Sequence, residues 1–108
     1  MRTYLGEFEQ LLLFALVQLD ADAYGGRIRE LIEARTGRTV SPGALYTALD
    51  RLEQRGLVSS SLGEATAQRG GKRKRYYRIE PTGAELLRRS HETVTKMARG
   101  LAPKLRTS

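Results

Sequence analysis

Residues 40–58 read VSPGALYTALDRLEQRGLV, a pattern that predicts one helix with defined ends. Ser41 can accept a hydrogen bond from an N–H group of the first turn, and Pro42 suits the first helical position. Gly56 suits the left-handed conformation in which helices often end. Apolar residues recur three and four positions apart and predict a buried stripe: Leu45, Ala48, Leu49 and Leu52. We therefore predict a helix over residues 42–55 with one face in a core.

Another helix is predicted just before it, over residues 23–36. Asp22 is its candidate N-cap, Gly37 its candidate left-handed end, and its predicted inner stripe is Tyr24, Ile28, Leu31 and Ile32. Two helices joined by a short turn are typical of a helix-turn-helix, in which the second helix lies in the major groove of DNA. The outer side of that second helix carries Gly43, Tyr46, Thr47, Asp50, Arg51 and Gln54. Tyr46 has an alternative interpretation, in which its ring packs over the edge of the core.

A hairpin with a basic tip is predicted after the helix pair, over residues 57–79. Residues 57–62 and 73–79 are its predicted strands, and residues 65–72 are its loop. The chain has 19 Lys and Arg against 12 Asp and Glu, a net charge of +7. Residues 69–78 of this hairpin contain six of the basic residues and no acidic residue: Arg69, Lys72, Arg73, Lys74, Arg75 and Arg78. Because so local a positive charge favours a polyanion, we interpret the hairpin as the DNA-contacting wing of a winged helix.

The first helix, predicted over residues 7–19, is apolar on nearly every side. One face repeats apolar residues at helical spacing, and Leu13, Phe14 and Val17 extend the apolar surface to other faces. Such a helix is normally buried on more than one side, and a chain of 108 residues has little protein with which to do so. We therefore expect one face to meet the core and another to meet a second copy of the chain.

The last helix, predicted to begin at Pro81, repeats apolar residues at alternating steps of three and four. The members of this heptad seam are Ala84, Leu87, His91, Val94, Ala98, Leu101 and Leu105, and Gly100 and Pro103 interrupt its end. Since this period is typical of helices that pack along another helix, residues 81–108 are expected to form a dimerisation helix. The predicted dimer interface is Leu13, Phe14, Val17, Leu87, His91, Val94, Ala98 and Leu101. We interpret His91 as an interfacial residue, with register-setting and pH-dependent roles as the alternatives.

Composition excludes several kinds of site. The chain has no Cys and one His, which leaves no disulfide, no thiolate metal site and no multi-His metal site within one subunit. No nucleophile–base pair, paired carboxylate site or phosphate-loop motif is visible, so we expect neither an enzyme nor a cofactor. The longest apolar run, residues 11–17, is far shorter than the ~20 residues that span a bilayer, and no secretory signal is visible. We expect a cytoplasmic protein without membrane contact.

Two stretches resemble the PadR-type transcriptional regulators: DAYGGRIRELIEARTGRTVSPGALYTALDRLEQRGLV at residues 22–58 and RGGKRKRYYRIEPTGAELL at residues 69–87. The resemblance implies a winged-helix homodimer that binds a palindromic operator, usually as a repressor. It implies that the family's recognition-helix tyrosine is Tyr46 and that its wing motif covers Arg69 to Tyr77. It also implies pairing through the C-terminal helix, against which the partner's first helix packs.

The chain is similar to the short subgroup of that family, which has a single C-terminal helix. It has no Trp, whereas multidrug-sensing relatives hold flat aromatic drugs between tryptophans at the dimer centre. Drug binding of that kind is therefore not expected, and a small-molecule effector would be of another, unidentified class.

The expected fold is mainly α with a small β-hairpin. Residues 1–80 are expected to form a winged helix-turn-helix DNA-binding domain of order α-α-α-β-β, and residues 81–108 the C-terminal dimerisation helix. The recognition helix is expected to contact DNA through Ser41, Gly43, Tyr46, Thr47 and Arg51. The wing is expected to contact DNA through Arg69, Gly70, Gly71, Lys72, Arg73, Lys74 and Arg75.

The expected function is that of a sequence-specific DNA-binding transcriptional regulator, a repressor that binds a palindromic operator as a homodimer. Its expected partners are double-stranded DNA and a second copy of the chain. The alternative is a winged-helix module for protein–protein interaction without specific DNA binding. The concentrated charge of the wing argues against this alternative, because charged residues are depleted from the buried centre of protein interfaces.

Overall fold

The computed structural model describes residues 4–64 and 73–106, which form five helices and a two-stranded hairpin. In chain order the elements are α1 (Glu7–Leu19), α2 (Gly25–Thr36), α3 (Pro42–Gln54), β1 (Val58–Leu62), β2 (Arg75–Ile79), α4 (Pro81–Ala98) and α5 (Ala102–Leu105), with a short 3-10 turn at Asp20–Asp22. The strands begin one and two residues later than the sequence predicts. The expected fold class, mainly helical with one antiparallel hairpin, is confirmed.

Helix α1 lies at the centre of the core and contacts α2, α3, α4 and β2. The most deeply buried side chains of these helices are Leu12, Leu13, Ile28, Leu45, Leu49 and Leu52. The prediction that Leu13 faces a second copy is therefore wrong: the residue is 0% exposed in its own chain. The apolar surface of α1 is largely covered by the helices and the strand packed around it. Val17, at 54% exposure, stays outside.

The ends of α2 and α3 follow the capping pattern of the sequence, with one exception. Ser41 caps α3 as predicted, since its Oγ accepts a hydrogen bond from the N–H group three residues on, at 3.1 Å. Gly37 ends α2 with a left-handed φ of 75°. The predicted Asp22 cap of α2 is wrong, because the cap residue is Tyr24 in an extended conformation. Asp22 lies in the 3-10 turn and forms an ion pair with Arg27 at 3.1 Å.

Strand β2 is hydrogen-bonded along both of its edges. On one edge it pairs antiparallel with β1 along its whole length. On the other edge Tyr77 N–H donates to Ala23 O at 2.9 Å, and Tyr76 forms a β-bridge with Tyr24. The hairpin is therefore joined directly to the start of α2.

The C-terminal segment contains two helices, so the single helix predicted over residues 81–108 is wrong. Helix α4 ends at Ala98, and Gly100 takes a left-handed φ of 80°. Helix α5 follows with Pro103 in its first turn. A left-handed glycine ends a helix, and a proline is tolerated only in the first turn of a new one, so the residues that interrupt the heptad seam also divide the helix.

The first turn of α4 approaches the end of α3 very closely. Thr82 Oγ1 donates a hydrogen bond to Gly56 O at 2.7 Å. Beside it, a Cβ atom added to Gly83 would lie 2.2 Å from the backbone oxygen of Leu57. Helix α4 can therefore occupy this position only because residue 83 has no side chain.

Gly83→Ala should lower the free energy of unfolding by about 1–3 kcal/mol, because the added methyl group overlaps a backbone oxygen and forces α4 to shift. The measurement is the midpoint of urea unfolding followed by circular dichroism. Gly43→Ala is the matched control, since Gly43 also lies in a first helical turn after a proline and its added Cβ would meet nothing within 4 Å. Equal losses in the two variants would contradict the close approach of α4.

Candidate nucleic-acid interface

Helix α3 has one face in the core and the other in solvent. Leu45, Leu49 and Leu52 occupy the core side and are fully buried. All of the residues predicted to contact DNA from this helix are exposed: Ser41, Gly43, Tyr46, Thr47 and Arg51. Because they follow the helical spacing, the fold brings them to one side of α3.

The N-terminal end of α3 is open to a large ligand. The hydroxyl of Ser41 accepts the capping hydrogen bond, so this residue stabilises the start of the helix. Next to it, a Cβ at Gly43 would meet nothing within 4 Å, which leaves free space above the first turn. The helix dipole places partial positive charge here, and this favours an anion such as a phosphate group.

Tyr46 is partly packed and partly exposed. The residue is 43% exposed, and its ring lies against Gly25 in the first turn of α2. The side chain thus spans the junction between the two helices of the helix-turn-helix. Thr47 and Arg51 lie beside it on the exposed side of α3.

The predicted wing residues fall into two groups. Arg69, Gly70, Gly71 and Lys72 lie outside the residues that the structure describes, whereas Arg73, Lys74 and Arg75 are exposed around the start of β2, at the end of the hairpin away from the Val58–Ile79 pair. Arg73 Nε donates to Gly63 O at 2.8 Å, and Arg75 Nη1 donates to Ser60 Oγ at 3.0 Å. Both contacts are with neutral oxygen atoms across the hairpin, and they orient the guanidinium groups without forming an ion pair. Ser60 Oγ also donates to the Glu53 carboxylate at 3.0 Å, so one hydroxyl group separates Arg75 from this negative charge.

The cations of this region differ from those of α4 in their pairing. Within residues 4–64 and 73–106, no carboxylate lies at ion-pair distance from Arg51, Arg73, Lys74, Arg75 or Arg78. On α4, by contrast, Arg88 pairs with Glu85 and Glu92 at 2.6 and 3.0 Å. The hydrogen bond from Arg88 also lowers the pKa of Glu85. Among the described residues, the hairpin therefore carries a cluster of cations without ion pairs, whereas the cations of α4 are paired.

Tyr24 joins the hairpin to the helix pair, a role that sequence reasoning missed. Its ring meets the ring of Tyr76 edge to face, with 5.6 Å between the centroids. In a second contact, Lys74 Nζ lies 4.0 Å from the centroid of the Tyr24 ring. The sequence predicts Tyr24 in the inner stripe of α2, because helical periodicity does not reveal a pairing with residues some fifty positions away. The Tyr24–Gly25 step links Tyr46 of α3 to Lys74 of the hairpin.

These contacts connect the exposed side of α3 to the hairpin, and we call the two together the α3–wing surface. Its exposed members are Ser41, Gly43, Tyr46, Thr47 and Arg51 of α3 and Arg73, Lys74 and Arg75 of the hairpin. The half-buried Tyr24 contacts Lys74, and the buried Gly25 contacts Tyr46. Beneath this surface, burial raises the pKa of Tyr77, and the negative charge of Asp50 adds to the rise. Tyr77 belongs to the packed side of the hairpin, where it is 4% exposed.

An apolar groove of ≈ 430 Å³ lies between α1 and α4. It is lined by four of the predicted interface residues, Phe14, Val17, Leu87 and His91, together with Ala84, Arg88, Glu92 and Thr95. Phe14 and His91 meet edge to face at 5.4 Å between ring centroids. Leu87 is only 5% exposed and so belongs mostly to the core. The other predicted interface residues, Val94, Ala98 and Leu101, are exposed farther toward the C-terminus.

The described residues contain neither a membrane-spanning helix nor a cluster of metal ligands. Over residues 4–64 and 73–106, no helix is both long enough and apolar enough to cross a membrane. Over the same residues, no group of three or more His, Cys, Asp or Glu side chains is placed to hold a metal ion.

Solved structures with the same fold cover nearly the whole chain. A transcriptional regulator from Clostridium thermocellum is 28% identical, with a TM-score of 0.72 over 92% of this chain and 89% of that one. A PadR family transcriptional regulator from Eggerthella lenta is 28% identical, with a TM-score of 0.69 over 94% of this chain and 88% of that one. A PadR family transcription regulator from Clostridium difficile, at 24% identity, shares the fold with a TM-score of 0.75 over 93% and 99% of the two chains. No curated protein matches the chain significantly.

One protein-family model matches the part of the chain that contains the helix-turn-helix, the hairpin and the start of α4. The model of the transcriptional regulator PadR-like family matches residues 12–89. This range contains every residue of the α3–wing surface and spans well over half of the 108 residues. The chain therefore belongs to the PadR-like family of transcriptional regulators.

Proposed function

We propose that this protein is a sequence-specific DNA-binding transcriptional regulator that acts as a repressor, and that it binds a palindromic operator as a homodimer. Residues 1–80 form the DNA-contacting part in this proposal, and α4 forms the dimer contact. The α3–wing surface meets DNA, with α3 in the major groove and the hairpin along the phosphate backbone or in the adjacent minor groove.

The observation that carries the proposal is the connection of the exposed side of α3 to the unpaired cations of the hairpin. Lys74 of the hairpin contacts Tyr24, and the next residue, Gly25, contacts Tyr46 of α3. Cations without carboxylate partners are able to replace the counterions of DNA phosphates, while the exposed side chains of α3 are able to reach base edges. A surface with both features is suited to DNA more than to a neutral protein partner.

The homodimer is supported by apolar surface on α1 and α4 that the chain leaves uncovered. Val17 and Val94 are 54% and 60% exposed, and the groove between α1 and α4 is lined mainly by apolar atoms. A second copy that contributes its own α4 would bury this surface. A two-fold dimer presents two α3 helices in opposite orientations, and such a pair reads a palindromic sequence.

The wing is tested by removing two of its charges. Arg73→Gln together with Lys74→Gln should weaken binding to every DNA sequence and lower the slope of log affinity against log salt by roughly 0.9 for each lost phosphate contact. The measurement is fluorescence anisotropy at several salt concentrations with a labelled duplex that the wild-type protein enriches from a random-sequence pool. The matched control is Arg89→Gln with Lys96→Gln, because these two cations already pair with Glu85 and Glu92 on α4. Equal slopes for wild type and the wing variant would remove the wing from the mechanism.

The dimer is tested at an exposed position of the heptad seam. Val94→Glu should convert the protein to a monomer in sedimentation at micromolar concentration, because two copies would bury the added charges against apolar surface. Affinity for the selected duplex should fall by about 10²-fold or more, since binding to the second half-site is lost. Thr93→Glu, which adds the same charge beside the seam, is the control and should stay dimeric. A wild-type protein that sediments as a monomer would contradict the two-half-site model.

A further inference from the structure

The ring of Tyr46 rests against a position of α2 that carries no side chain. A Cβ atom built on Gly25 would lie 2.0 Å from Tyr46 Oη, 2.6 Å from Cζ and 3.0 Å from Cε1. The phenol end of the ring is therefore in contact with the Gly25 backbone. Any residue other than glycine at position 25 would overlap the tyrosine in its present orientation.

The conformation of the backbone does not explain why position 25 is a glycine. Gly25 is the first residue of α2 and is absent from the described glycines with positive φ, which are Gly37, Gly56 and Gly100. An alanine therefore fits the backbone of this turn without strain. The requirement for glycine comes from the space that the Tyr46 ring occupies.

The overlap would be with the far end of a side chain and with no backbone atom of α3. The three nearest atoms to the added Cβ all belong to the phenol group of Tyr46. A side chain that is 43% exposed is able to rotate away into solvent, so the fold need not shift. A methyl group at position 25 should therefore change the orientation of Tyr46 and lower the free energy of unfolding only slightly.

The contact with Gly25 also fixes the position of the Tyr46 ring relative to the wing. The preceding residue, Tyr24, contacts Lys74 at 4.0 Å and pairs with Tyr76. Two consecutive residues thus hold the tyrosine of α3 and a cation of the hairpin in one arrangement. A side chain held in place before binding loses less rotational freedom when it meets its ligand, and this raises affinity.

We propose that Gly25 is a positioning residue for DNA recognition: its missing side chain provides the seat that orients the phenol of Tyr46 on the α3–wing surface. This inference rests on the proposed DNA-binding function. Gly25 acts through Tyr46 and need not touch DNA itself. Its role therefore predicts that substitutions of Gly25 and Tyr46 have non-additive effects on DNA affinity and additive effects on the free energy of unfolding.

The experiment is a double-mutant cycle of wild type, Gly25→Ala, Tyr46→Ala and the double variant. Affinity is measured by anisotropy with the selected duplex and with a random-sequence duplex of equal length, and stability by urea unfolding. Gly25→Ala should weaken binding to the selected duplex roughly tenfold, the loss expected for one hydrogen bond to a charged group. In the Tyr46→Ala background the same change should alter affinity less than about twofold, because the ring that needs the seat is absent.

Gly26→Ala is the matched control, since it adds a methyl group to the same turn of α2. Its Cβ would press on the Tyr24 ring, at 3.3 Å from Cε2 and 3.7 Å from Cδ2, and would leave the contact between Gly25 and Tyr46 free. The control therefore also tests whether a small shift of Tyr24 affects binding. This variant should bind the selected duplex within about twofold of wild type. A loss equal to that of Gly25→Ala would mean that any methyl group in this turn disturbs binding, and would overturn the positioning role.

The outcomes separate the inference from the function on which it rests. Equal losses from Gly25→Ala in the two Tyr46 backgrounds, with wild-type binding intact, would overturn the role of Gly25 alone. A large loss of stability caused by Gly25→Ala that is equally large in the Tyr46→Ala background would show that the missing side chain at position 25 is needed for folding. This result would also overturn the positioning role. A wild-type protein that enriches no duplex would overturn the proposed function and the inference together.

Discussion

The hydrogen bonds on the outer edge of β2 hold the proposed DNA surface together. A hairpin paired only with itself would be free to move relative to the helices, but Tyr77 N–H bonds to Ala23 O and Tyr24 bridges to Tyr76 immediately before α2. Strand pairing fixes register, because a slip of one residue would turn every side chain to the opposite face. Lys74 and Arg75 therefore keep a defined place relative to the start of α2, where Tyr24 contacts Lys74.

The distribution of ion pairs divides the surface into two regions with different properties. On α4 the three cations Arg88, Arg89 and Lys96 all pair with Glu85 or Glu92, so most of their charge is compensated and the helix has little net attraction for anions. On the hairpin, Arg73 and Arg75 contact only neutral oxygen atoms. Exposed ion pairs add little to stability, so the difference matters mainly for what each surface attracts. The balanced helix suits self-association, and the unbalanced hairpin suits a polyanion.

Much of the fold could be predicted because its signals are local. The Ser41 cap, the left-handed Gly37 and the apolar period of α3 each act within a few residues, and the structure has all three. The Asp22 cap was wrong because the chain before α2 is extended to pair with β2, and a local signal cannot compete with that pairing. Leu13 was assigned to a dimer interface because periodicity shows that a face is apolar without showing what covers it.

The exposed recognition-helix residues follow from the period of α3, but their surroundings do not. Sequence reasoning left Tyr46 between packing and exposure, and the ring in fact does both because Gly25 makes room for part of it. No pattern in the sequence relates Gly25 to Tyr46, since the two are brought together only when α2 packs against α3. The same holds for Tyr24 and Lys74, which lie on different elements.

By itself, the sequence determined the order of the helices and the hairpin, most of their ends and the concentration of positive charge in the hairpin. These follow from capping, periodicity and composition, which depend on neighbours along the chain. The tertiary structure alone decided that α1 is enclosed at Leu13, that β2 joins the start of α2, and that Tyr46 rests on Gly25. Each of these depends on contacts between residues far apart in the chain, and such contacts exist only when the core has packed.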